Sequence, residues 1–207
     1  RVQNVEAHLN DWDVEGAKAD LQGLRAIAPD SATLALLEGR VALEEGRYDD
    51  AVKAFEAAEL EDEPQSWLRL AKETRGVTQG FQKAESAHFI VFFAKGKDEV
   101  LVPWALEALE AQRAALEQDL GFAPPEKTRV ELLGSTRDLA KVSTLSLEAI
   151  KTTGTIAICK FNKLMVTSPR AAVRGYDWLD TLAHEYTHLV VSRKSRNTVP
   201  IWLHEGY

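Results

Sequence analysis

Apolar residues recur at helical spacing through the first third of the chain. Ala17, Leu21 and Leu24 form one stripe, Tyr48, Ala51, Phe55 and Ala58 a second, and Trp67, Leu68, Leu70 and Ala71 a third on a helix expected over 64–77. Pro29 and Pro64 punctuate successive units. Beyond residue 80 the pattern changes. Residues 87–94 (AHFIVFFA) are aromatic and β-branched and read as a strand, and 98–120 reads as a long helix stopped by Gly121 and the Pro124-Pro125 pair. A strand is expected over 128–133, a helix capped by Ser135 over 136–147, and two short strands over 154–160 and 163–167, turning at Phe161-Asn162. From Asp177 to about Arg193 the helical period returns, with Asp177 as N-cap and Asp180 placed for a capping box. The resulting fold class is α+β: helical hairpins over 1–80, then a domain over 85–207 with a mixed sheet.

Composition adds exclusions. With 45% apolar and 28% charged residues, the chain has the make-up of a globular protein. Its longest apolar run, residues 89–94, is far short of a membrane span. Residues 1–80 carry 9 Lys/Arg against 17 Asp/Glu and the remainder 16 against 15, so the acidic surplus lies in the helical region and nucleic acid is not an expected partner. Cys159, the sole cysteine, excludes an internal disulfide and multi-cysteine zinc sites, and within its apolar run it reads as a buried, inert thiol. The chain opens at Arg1 without an initiator Met and stops two residues after Glu205, so a piece of a longer protein is expected.

The helical region has an internal frame. Gly39, Gly46, Tyr48, Ala51, Phe55 and Ala58 fall where small and aromatic residues let two antiparallel helices approach and fill the gap to the next pair, and Ala17, Leu21, Leu24 and Pro29 occupy a looser copy one frame earlier. This spacing resembles tetratricopeptide repeats, which implies a surface for a protein partner; a plain helical spacer fits the same residues.

Candidate chemistry gathers between residues 184 and 205. His184-Glu185-Tyr186-Thr187-His188 is an HExxH motif on an expected helix, with Trp178, Leu182, Tyr186 and Leu189 on one side and Thr181, His184 and His188 on the other. Imidazoles at i and i+4 can meet one Zn²⁺, and Glu185 can serve as general base toward a water. A catalytic zinc needs a third protein ligand. Asn197 and Thr198 make a turn and Pro200 suits a helix start, so Trp202 to Tyr207 would pack back on the first helix and Glu205 would project toward the histidines. Taken alone, Glu205 also reads as a solvent-facing acid in a first helical turn. Asp180 could orient the His184 ring, though capping is its simpler role. Tyr186 reads as core, His204 and Tyr207 as possible electrophilic helpers, and His8 and His88 as ordinary residues outside ligand spacing.

The HExxH motif followed by Pro200-Ile201-Trp202-Leu203-His204-Glu205-Gly206 resembles the gluzincin metallopeptidases, in particular the small peptidase MA or minigluzincin branch. The resemblance spans 85–207 by element order and 177–207 by motif. It implies a zincin-like domain, one Zn²⁺ per chain on His184, His188 and Glu205, Glu185 as general base, peptide or protein substrates, and an edge strand within 154–167 that holds the substrate backbone. Members of this layout are often exported, which implies the cell envelope or outside. A different function class stays open: a repeat-type binding module carrying a non-catalytic zincin-like scaffold.

Overall fold

The protein is described by a computed structural model covering residues 1–59, 66–200 and 202. The chain forms two compact units, Arg1–Val77 and Thr78–Tyr207, so its internal boundary lies a few residues before the break expected from the sequence.

The first unit is all-helical: α1 (Val2–Asn10), α2 (Val14–Arg25), α3 (Ala32–Glu44), α4 (Tyr48–Ala57) and α5 (Trp67–Thr78). Asp13 starts α2, its carboxylate accepting the Gly16 N–H at 3.0 Å. Val5, Leu9, Ala17, Leu21, Leu34, Leu37 and Val41 form one buried cluster across α1, α2 and α3. At the α3–α4 crossing, Gly39 faces the Phe55 ring so closely that a Cβ there would stand 2.4 Å from Cε1. Phe55 is fully buried and stacks on Trp67 of α5, centroids 6.4 Å apart, so it fills the gap to the next helix. Pro64, proposed as a unit boundary, lies outside the described residues.

The second unit is a mixed five-stranded sheet with helices on both faces, in agreement with an α+β class. The strands are β1 (Gln82–Glu85), β2 (Phe89–Phe93), β3 (Thr128–Leu133), β4 (Ala157–Lys160) and β5 (Lys163–Thr167), in the order β1-β2-β3-β5-β4. β2, β3 and β5 are parallel, and β1 and β4 run antiparallel at the two edges. The helices are α6 (Val102–Leu120), α7 (Thr136–Val142), α8 (Leu147–Thr153) and α9 (Trp178–Ser195), with a 3-10 turn at Lys97–Leu101 leading into α6.

Alternation sorts the two sheet faces. Phe89 points toward α9, where it meets Tyr186 edge-on at 4.9 Å; Leu182, Leu189 and Val190 complete the buried stripe of α9. Gln112 of α6 donates to Thr187 Oγ1 at 3.1 Å, joining the two long helices on this face. On the other face Lys160 Nζ donates to Thr144 Oγ1 between α7 and α8. The same face buries Glu131 beside Arg129 and Lys163, at 2.8 and 3.2 Å, with the Arg129 guanidinium over Phe92. Such burial of charge is tolerable only because the ions are paired.

Two expectations need correction. The strand β1 was not anticipated, because its side chains are mostly exposed and it is held by backbone pairing to β2. The single helix expected over 136–147 is two helices, since Ser143 adopts an extended conformation and Ser146 caps a new start by accepting the Ala149 N–H at 3.1 Å.

Candidate metal centre

Helix α9 is fixed along its whole length. Before it, the Tyr176 hydroxyl donates to the Thr167 carbonyl at the end of β5. Asp177 caps it weakly, with 3.5 Å between its Oδ1 and the Asp180 nitrogen, while Thr181 Oγ1 bonds the Asp177 carbonyl at 2.8 Å. The Asp180 carboxylate makes neither the reciprocal bond of a capping box nor one to His184; it is exposed. At the far end Arg193 donates to Asn162 Oδ1 at 3.1 Å and to Glu126 at 3.0 Å, and Lys194 donates to the Leu120 carbonyl at 2.5 Å. Arg196 and Asn197, both with positive φ, end the helix and turn the chain.

On this clamped helix the His184 and His188 rings stand side by side, with centroids 4.4 Å apart and planes at 78°. His184 is exposed and His188 half-buried, while Tyr186 between them is fully buried with its hydroxyl pushed up to about 12 by burial. The division into a histidine face and an apolar face therefore matches the wheel read from the sequence.

The β4–β5 hairpin brings a residue to this face that motif spacing alone could not place. Phe161 and Asn162 have φ of 55° and 54°, a two-residue turn of the I′ kind that matches the strand twist. Such a turn makes Lys160 and Lys163 a hydrogen-bonded pair, and the Thr167 N–H bonds the Ile156 carbonyl at 2.8 Å in the same phase. Ala157 and Cys159 thus turn their backbone N–H and C=O groups outward at the sheet edge, and no further strand pairs there among the described residues. Their side chains face α9. The Cys159 thiol is pushed well above its ordinary value by burial and by the nearby Glu185 carboxylate, although the residue as a whole is half-buried rather than sealed in the core. An open strand edge, a carboxylate and two imidazoles therefore share one region.

Glu205, His204 and Tyr207 lie outside the described residues, and among the described residues no three His, Cys, Asp or Glu side chains converge on one point. The two imidazoles that are described suit a borderline ion such as Zn²⁺ in residue type and adjacency. Of the segment 202–207 expected to pack on the preceding helix, only Trp202 is among the described residues, and it is 74% exposed. The remaining histidines have local partners: His8 sits 2.8 Å from Asp13, and His88 2.7 Å from Glu110, whose carboxylate also accepts from Ser86. No described helix is long and apolar enough to cross a membrane. Comparison of the chain with protein-family models, curated proteins and solved structures finds no match to any of them.

Proposed function

We propose that the chain is a zinc-dependent metallopeptidase of the gluzincin type. His184, His188 and Glu205 would hold one ion, Glu185 is the general base, and the tetratricopeptide-like helical unit offers a surface to a protein partner or substrate. The observation carrying the reading is the adjacency of the His184 and His188 rings at 4.4 Å, beside a carboxylate whose charge reaches Cys159 on the open edge strand.

Zinc, when bound, supplies a Lewis acid that polarises a scissile carbonyl and lowers the pKa of water toward 7. The protein's own residues do the rest. Glu185 accepts the proton released by the attacking water and passes it to the leaving amine. The outward backbone groups of Ala157 and Cys159 take an extended substrate as an additional strand, which aligns its peptide bond with the histidine face. The Tyr186–Phe89 contact and the Arg193 anchor keep α9 from rotating away.

Cleavage of a peptide library by wild type and Glu185→Gln at equal zinc content, read by mass spectrometry, tests this. Wild type should cleave, and the variant should lose at least about 10²-fold while keeping its zinc. Equal rates would overturn the base assignment. Zinc binding without cleavage by either protein would instead favour the non-catalytic scaffold with a binding module.

A further inference from the structure

β2 and β5 are parallel strands flanking β3, so the loops that follow them leave the same end of the sheet. An ion pair between an exposed Arg170 side chain and a buried Asp98 carboxylate ties these loops together. Arg170 donates through Nε and Nη2 to the two Asp98 carboxylate oxygens, both at 3.0 Å, and Ser168 Oγ adds a third bond at 2.9 Å. Asp98 is 6% exposed and receives both Arg170 bonds as well as the Ser168 hydroxyl, so the bridge is a two-pronged fork on a buried carboxylate, with the Arg170 side chain itself exposed.

The joined loops carry an unusual surface. Val100 is 67% exposed, Trp104 59% and Val173 104%, and Val173 sits in a turn closed by the Gly175 N–H on the Ala172 carbonyl. Single exposed apolar residues are ordinary, but these three stand at one end of the sheet: Val100 in the 3-10 turn, Trp104 in the first turn of α6 and Val173 in the loop after β5. Lys95, Lys97 and Arg174 lie on the same two segments, all exposed and without an ion pair among the described residues. Residues 94–104 and 168–176 together hold four Lys/Arg against two acids, one of them the buried Asp98, in a chain of net charge −7.

We propose that this end of the sheet docks on an anionic phospholipid surface. Val100, Trp104 and Val173 enter the headgroup region while Lys95, Lys97 and Arg174 meet lipid phosphates and carboxylates. A protruding turn tip suits a deformable bilayer, whereas a folded partner would have to offer a matching cavity. A symmetric contact with a second copy would set these cations against themselves.

Co-sedimentation of the full chain with vesicles, in EDTA so that metal and catalysis play no part, tests the proposal. Binding is expected to vesicles of phosphatidylcholine with about one-third phosphatidylserine, to weaken with salt, and to be absent on phosphatidylcholine alone. Trp104→Ser with Val173→Ser should lower partitioning at least about tenfold. Lys95→Gln with Lys97→Gln should lower it about 25-fold, some fivefold per lysine. All four positions are exposed, so unchanged thermal melts should accompany these losses. Absence of binding to the anionic vesicles at low salt, or equal binding by the variants, would overturn it. So would a lipid-free dimer that the same substitutions dissolve, which would assign the patch to a second copy.

Discussion

Gly39→Ala puts the close approach of α3 and α4 to a quantitative test. The added methyl would stand 2.4, 2.5 and 2.9 Å from Cε1, Cδ1 and Cζ of Phe55, so the ring must withdraw by about 1 Å to reach ordinary contact. It has nowhere to go, being fully buried and stacked on Trp67. Overpacking of this kind costs about 1–3 kcal/mol, and the better helix propensity of Ala returns about 0.5–1 kcal/mol. The net loss is about 0–2.5 kcal/mol, and for a unit of this size its midpoint lowers the melting temperature of residues 1–77 by about 5–10 °C. Gly76→Ala on α5 is the control: it is exposed, nothing lies within 4 Å of its Cβ, and the propensity gain should raise the melting temperature. Calorimetry of both variants reads the contrast directly. Adding Phe55→Leu should make Gly39→Ala neutral or stabilising, a double-mutant coupling between touching residues. If Gly39→Ala were as benign as Gly76→Ala, the helices would not be packed as described.

Two further outcomes follow from the second unit. The Tyr186 hydroxyl is buried and bonds no group among the described residues, so Tyr186→Phe should hold or raise stability by up to about 1 kcal/mol and leave zinc content unchanged; a marked loss in denaturant titration would reveal a partner for the hydroxyl. Because burial and Glu185 both raise the Cys159 thiol, its thiolate fraction at pH 8 is small, and alkylation by iodoacetamide should be much slower than in the unfolded chain. Glu185→Gln removes one of the raising influences and should speed that reaction; an identical rate would mean that the carboxylate does not face β4.

Legibility in the sequence followed apolar burial. β3, the β4–β5 hairpin and α9 were readable because each buries a periodic apolar set: Thr128–Leu133 lies inside the sheet, and α9 buries Leu182, Tyr186, Leu189 and Val190. β1 was not, because Gln82, Lys83 and Glu85 are exposed and a charged edge strand carries no apolar alternation. The break between α7 and α8 was masked by apolar residues that continue the helical period, although the run Ser143-Thr144-Leu145-Ser146 already held the hydroxyl side chains that end one helix and cap the next. At the candidate site, the spacing of His184 and His188 sufficed to predict their adjacency, since one helix fixes it. The approach of Cys159 to Glu185 depends on sheet order and hairpin phase, which no local pattern encodes.

The measurement bearing most directly on the metal assignment is the zinc content of the purified, dialysed chain and its variants by plasma mass spectrometry. One equivalent is expected in wild type and in Glu185→Gln, and almost none in His184→Ala, His188→Ala or Glu205→Ala, since each removes one of the three proposed ligands. Full zinc content in both histidine variants would contradict a metal centre on α9.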